Sequence, residues 1–152
     1  MAEPLAYFLT WTTYGTWLPG DARRWVDKRG SAGTPYRRGD RDRLALARRR
    51  TKQAPVRLDD APRHLVEGAI RETCRCKRWH LHALNVRSNH VHVVVTAQGQ
   101  KPERVMTSLK AWSSRRLNQG DRRARWWTRH GSTRYITSRA SLARAVEYVM
   151  NQ

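Results

Sequence analysis

Apolar positions along the chain change period several times, and each change marks an element. Residues 7–13, Tyr-Phe-Leu-Thr-Trp-Thr-Thr, are β-branched and aromatic and predict a strand. From residue 59 the period becomes helical. Asp59 and Asp60 suit a helix N-terminus, Pro62 its first turn, and Leu65, Val66, Ala69, Ile70 and Thr73 form one stripe that runs out near Cys76–Lys77. Period two returns over residues 80–87 and 90–97, with Ser88-Asn89 between them as turn chemistry, which predicts a β-hairpin. A second helix begins at Pro102-Glu103, buries Val105, Met106, Leu109 and Trp112, and reaches about Asn118. Arg134–Thr137 predicts a short strand. Ser138 then caps a last helix carrying Leu142, Val146, Val149 and Met150.

The resulting order is β-α-β-β-α-β-α. A hairpin amid alternating strands and helices predicts an α+β fold of ferredoxin or RRM type, an antiparallel sheet with helices on one face and the other face open. One domain, 1–152, accommodates all of it, interrupted at about 14–57 by a Gly-, Pro- and Arg-rich insertion with a short helix expected near Leu44–Arg50.

Charge narrows the function. The chain carries a formal +19. Residues 20–57 hold thirteen Lys/Arg against four Asp, and residues 104–134 hold nine against one, so these two segments contribute +9 and +8. Self-repulsion on this scale points to a polyanionic partner. Arginine dominates, and seven Trp and five Tyr accompany it. Guanidinium groups grip phosphate and aromatic rings stack on unpaired bases, which suits a single-stranded nucleic acid. No 18-residue apolar run suggests a membrane span, and Met1–Gly15 has no signal-peptide pattern. Cys74 and Cys76 lie two apart and would project from different sides of a helix, so they read as reduced thiols and a cytoplasmic location is expected.

The chemistry is concentrated in the strand from His90. Side chains alternate, so Val91, Val93 and Val95 share the core face while His90, His92, Val94 and Thr96 share the other. Two imidazoles on one face of a strand can converge on one metal ion, although a His-x-His pair also arises by chance. His80 and His82 in the neighbouring strand show the same spacing and read as structural or accessory. On the last helix Tyr148 and Gln152 are four apart and share a face at the edge of the apolar stripe. Tyr148 is a candidate nucleophile, or an ordinary half-buried helix tyrosine. Gln152 has an amide oxygen able to act as a neutral third ligand.

These residues resemble a known family. Ser88-Asn89-His90-Val91-His92-Val93-Val94-Val95 looks like the HUH strand of single-strand DNA transposases, and Glu147-Tyr148-Val149-Met150-Asn151-Gln152 looks like their Tyr-x-x-x-Gln helix. Ser108–Trp112 and Trp127–Ser132 resemble connecting stretches of the same group, in the branch that includes the REP-associated tyrosine transposases. The resemblance covers most of residues 60–152 and the first strand. It implies a tyrosine attack by Tyr148 on a phosphodiester of hairpin-flanked single-stranded DNA, a 5′-phosphotyrosine intermediate and strand transfer. It implies Mg²⁺ or Mn²⁺ held by His90, His92 and Gln152. Lys110, Trp112, Arg115, Arg116, Arg129 and Arg134 are then the expected DNA contacts. A homodimer, with Tyr148 serving its own or its partner's site, is compatible with the pattern. Two departures stand out: the insertion exceeds what a minimal member needs, and Gln152 is the last residue, where helices fray. Tyr135 and His130 are the fallback nucleophile and ligand. The competing readings are a catalytically inactive single-stranded nucleic-acid-binding module, a replication-initiator or relaxase-type nickase of the same HUH group, and a metal-dependent hydrolase using water.

Overall fold

The computed structural model describes residues 3–16, 54–123 and 125–152. The chain divides into two compact units, Met1–Tyr14 with Val56–Gln152, and Gly15–Pro55. Most of the second unit lies outside the described residues, and with it the helix expected near Leu44–Arg50.

In the first unit the elements follow the expected order. They are β1 (Ala6–Thr12), α1 (Asp60–Lys77), β2 (His80–Val86), β3 (His90–Thr96), α2 (Pro102–Gly120), β4 (Ser132–Ile136) and α3 (Arg139–Met150). The four strands form one antiparallel sheet in the order β2-β3-β1-β4. This is the ferredoxin-like arrangement, in which the two crossovers place their helices on a common face.

Local chemistry explains the boundaries. α1 ends at Arg78, which takes a left-handed conformation at φ 59°. The backbone N–H of Trp79 then closes onto the Cys74 carbonyl at 2.8 Å, a Schellman-type stop. At the start of α3 the Ser138 hydroxyl accepts from the Ser141 N–H at 3.1 Å, the expected cap. β4 begins two residues before the sequence pattern suggested, because Ser132 and Thr133 pair with Thr10 and Leu9 on β1.

The main core lies between the sheet and α1/α2. Leu9 and Trp11 on β1 pair with Val93 and Val91 on β3, and all four are buried beneath Val66, Ile70, Val105 and Leu109. The valines of the His-x-His strand thus face the helices as their alternation predicted. Two outlying positions differ from expectation. Leu65 is 40% exposed, and Trp112 is 47% exposed. On α2 the buried row continues at four-residue steps through Leu109, Ser113 and Leu117, which turns Trp112 out of the core.

The opposite face of the sheet is less open than a simple two-layer fold would leave it. α3 packs there: Val149 is fully buried against Ala83, Val94 and Ile136, with Leu142, Ala145 and Val146 alongside. The apolar stripe of α3 reveals that the helix is amphipathic, but it does not reveal which face of the sheet it will cover. α3 follows β4 as an addition beyond the β-α-β-β-α-β unit, so no crossover binds it to the α1/α2 layer. This second face is the one that carries the histidines.

The segment entering β4 is tight. A Cβ on Gly131 would lie 2.6 Å from the Thr10 carbonyl oxygen and 2.8 Å from Met106 Sδ. Both are fixed by the sheet and the core, so Gly131→Ala is expected to destabilise the fold by about 1–3 kcal/mol. Urea denaturation checks this, and an unchanged midpoint would contradict it.

Candidate active site

Strand pairing lays out the site in rows. On the α3 side of the sheet, Ser132, Thr10, His92 and Asn85 occupy successive strands in one row, and Arg134, Phe8, Val94 and Ala83 occupy the next. His90 lies beyond His92 on β3, opposite Thr12.

The two imidazoles stand together, with ring centroids 4.8 Å apart and planes at 72°. Each is tied back by a neighbour. His90 Nδ1 lies 2.7 Å from Asn89 Oδ1. A carboxamide oxygen can only accept, so the proton sits on Nδ1 and Nε2 keeps its lone pair. His92 Nδ1 lies 2.9 Å from the Thr10 hydroxyl, and the same tautomer results when that hydroxyl accepts. Such a tie on one ring nitrogen fixes the orientation of a histidine whose other nitrogen ligates a metal. Among the described residues no third His, Cys, Asp or Glu joins the pair. The donor set fits a divalent ion that leaves several positions to neutral or substrate oxygens.

Burial keeps the pair uncharged. It pushes the imidazolium pKa of His92 down to about 4, and His90 and Arg87 add to the effect. His90 is lowered by its own burial and then by Arg87. An unfolded histidine titrates near 6.5. The unfolded chain therefore binds a proton that folded His92 refuses, and the stability this site contributes is complete above pH 6.5 and lost as pH falls from there through about 4. An NMR titration of the metal-free protein should find the His92 ring still neutral at pH 5.5. A midpoint at the ordinary imidazole value would contradict this environment.

α3 brings Tyr148 to the same place within one chain. Its ring centroid is 5.8 Å from that of His92, edge-on at 73°, and 6.0 Å from that of Phe8. Tyr148 remains 52% exposed despite these ring contacts. The C-terminal end of α3 is latched to β2 beside His92. Asn85 Nδ2 donates to the Val149 carbonyl at 3.0 Å and to the Gln152 carbonyl at 3.4 Å. Gln152 is exposed, and this bond holds its backbone near the cross-strand neighbour of His92.

A cleft of about 550 Å³ opens along Tyr148 and His92 towards β4, and its walls include Arg134 and Arg144. Arg144 escaped the sequence reading, although its place four residues before Tyr148 puts it on the same helix face. Thr10 and Asn85 escaped it too. Their roles depend on strand register, which has no signature within either strand alone.

The other expected residues are dispersed. Lys110 is half-buried and donates to the carbonyls of Thr128 and His130 at 2.7 and 2.9 Å, so it braces the loop before β4. Burial also lowers its ammonium pKa. Trp112, Arg115 and Arg116 lie in the helix layer, across the sheet from the histidines. There Arg115 stacks over Trp112 at 5.2 Å and Arg116 meets Glu72. Arg129 is exposed on a separate cleft beside Trp126 and Trp127. Of the fallback residues, His130 is exposed at φ 68°, and Tyr135 also lines the cleft beside Tyr148 while its ring packs edge-on against Tyr7 at 5.5 Å. His80 and His82 stack on each other at 4.3 Å, and His82 Nε2 is 2.7 Å from the Thr96 hydroxyl, a pairing separate from His90/His92. Cys74 is buried and Cys76 exposed, both as free thiols. No helix among the described residues is long and apolar enough to cross a membrane.

The family model of IS200-like transposases matches residues 48–152. Among solved structures, the fold is similar to that of a REP-associated tyrosine transposase bound to a REP hairpin. That match has a TM-score of 0.57 at 11% identity and covers 97% of this chain and 66% of the other. This chain therefore spans just under two thirds of that protein's length. A chain assigned as a transposase from Deinococcus radiodurans R1 matches with a TM-score of 0.49 at 16% identity, over 100% of this chain and 93% of that one. No curated protein matches the sequence.

Proposed function

Because the chain belongs to the IS200-like transposase family, we propose that it cleaves single-stranded DNA and transfers the cut strand through a covalent bond to Tyr148. One observation carries this reading: the Tyr148 ring sits 5.8 Å from His92, within a single chain, on an accessible face of the sheet.

The Tyr148 oxygen attacks a backbone phosphorus and the bond to the 3′ oxygen breaks. The phenolic proton is lost, the departing oxygen gains one, and a 5′-phosphotyrosine remains with a free 3′-OH. Attack by another 3′-OH reverses the step and joins strands without a nucleotide cofactor, because the phosphotyrosine conserves the ester bond. His90 and His92, with the Gln152 amide, would hold Mg²⁺ or Mn²⁺, which supplies Lewis-acid polarisation of a phosphoryl oxygen when bound. Asn89 and Thr10 orient the two rings. Phe8 seats the tyrosine ring, and Asn85 latches its helix to the sheet.

The substrate is single-stranded DNA flanked by a hairpin, in keeping with the hairpin held by the structurally similar REP-associated transposase. The test is incubation of the protein and Mn²⁺ with a labelled hairpin oligonucleotide carrying a single-stranded tail. A protein–DNA adduct that survives a denaturing gel is the expected result. Binding without any adduct across a panel of hairpins would instead identify a nucleic-acid-binding module of the same fold.

A further inference from the structure

The cleft beside Tyr148 contains two arginines that meet no carboxylate among the described residues. Arg134 projects from β4 in the row of Phe8, and Arg144 lies one helical turn before Tyr148 on α3. Both line the cleft, and no Asp or Glu is among its lining residues. Elsewhere arginines are spent on carboxylates: Arg63, Arg71, Arg116 and Arg123 each meet one. Among the described residues Arg144 has only the Ser141 hydroxyl, at 3.1 Å, which leaves most of its five donors without a partner there. No partner for the Arg134 guanidinium occurs among the described residues. The cleft between them is floored by Phe8, Ile136 and Ala145. Apolar flooring lowers the local dielectric and strengthens any anion contact made there.

We infer that Arg134 and Arg144 form a phosphate clamp that grips the DNA backbone at the phosphate neighbouring the one Tyr148 attacks. The inference rests on the reading of Tyr148 and the histidine pair as the cleavage centre. His92 is on β3 and Arg134 on β4, the strands on either side of β1, and Tyr148 packs on Phe8 of β1, so a strand seated on the tyrosine runs between the pair and the clamp. Two guanidiniums from different elements can hold one diester by paired N–H donation, which fixes its position as well as its charge. The clamp would also keep hold of the DNA after the 3′ end leaves.

The test uses the Tyr148→Phe protein, so that binding is read without covalent trapping. Affinity for a fluorescent single-stranded 20-mer is measured from low to high salt. Arg134→Ala/Arg144→Ala is expected to bind about tenfold more weakly at low salt. Its log–log salt slope should be shallower by about 0.7, the value of one lost single-strand phosphate contact. Arg134→Lys/Arg144→Lys should restore the slope but not the whole affinity, because an ammonium lacks the fork geometry. Arg63→Ala/Arg71→Ala removes the same formal charge from α1 and should leave the slope unchanged. An unchanged slope in the clamp variant, or an equal loss in the α1 control, would overturn the clamp. A clamp result as expected, beside failure of the wild type to form adducts, would instead remove the nucleophile assignment and leave the clamp standing.

Discussion

Tyr148→Phe is expected to abolish the covalent protein–DNA adduct while leaving DNA binding within about twofold of wild type. The side chain loses a single oxygen. Its ring keeps the edge-on contacts with His92 and Phe8, so α3 has no reason to leave the sheet. What disappears is the atom that would bond to phosphorus. Losing a catalytic nucleophile costs rates of roughly 10⁴-fold or more, because the remaining groups can only position substrate. Cleavage and strand joining should fall together, since both pass through the same ester. If Tyr148→Phe still cleaved without an adduct, water would be the nucleophile and the site a hydrolase. Tyr135→Phe serves as the matched control. Tyr135 is 60% exposed but packs against Tyr7 rather than His92, and its loss should leave adduct formation intact.

The second large effect belongs to the histidines. His92→Ala and His90→Ala should each lower adduct formation by roughly 10²–10⁴-fold, the range expected when several kcal/mol of charge stabilisation at a phosphoryl group is lost. Mn²⁺ affinity, measured by titration calorimetry in the absence of DNA, should fall with it. The two rings form one unit at 4.8 Å, so the double variant should lose little more than either single one. Thr10→Val probes the support beneath them. It removes the hydroxyl 2.9 Å from His92 Nδ1 with little change of shape, and should cost about 10–100-fold in metal affinity. Normal Mn²⁺ binding and normal activity in His92→Ala would exclude the pair from the chemistry.

Part of this site could be read without coordinates, because it depends on period. Valines at 91, 93 and 95 require one face of β3 to be buried, and strand alternation then puts His90 and His92 on the other. Tyr148 is legible in the same way, as a helix position beside the Leu142/Val146/Val149 stripe rather than within it. Facts of assembly were not legible. The stripe of α3 is equally compatible with either face of the sheet, and only packing against Ala83, Val94 and Ile136 decides it. Thr10 and Asn85 join the site through cross-strand register with His92, a relation between segments some eighty and seven residues apart along the chain. Basic residues were the least informative, since charge does not reveal its partner. Lys110 is engaged by two backbone carbonyls and Arg116 by Glu72, whereas Arg144 lines the cleft beside Tyr148.

Trp112 shows the same limit from the other side. Its spacing from Leu109 permits a core position, yet Ser113 and Leu117 take the buried row and the indole is left beneath Arg115 in the helix layer. That layer and the face carrying His90, His92 and Tyr148 are separated by the sheet. Contacts at Trp112 and contacts at Tyr148 are therefore separable by mutation, and a DNA long enough to touch both must pass around an edge of the sheet.

The central claim is that Tyr148 itself becomes bonded to DNA, and peptide mapping of the adduct addresses it most directly. Wild-type protein is trapped on a hairpin oligonucleotide with Mn²⁺, digested with nuclease and protease, and sequenced by mass spectrometry. The account predicts a nucleotide-phosphate mass added to Tyr148 and to no other residue. The same modification on Tyr135, or on any residue other than Tyr148, would contradict it.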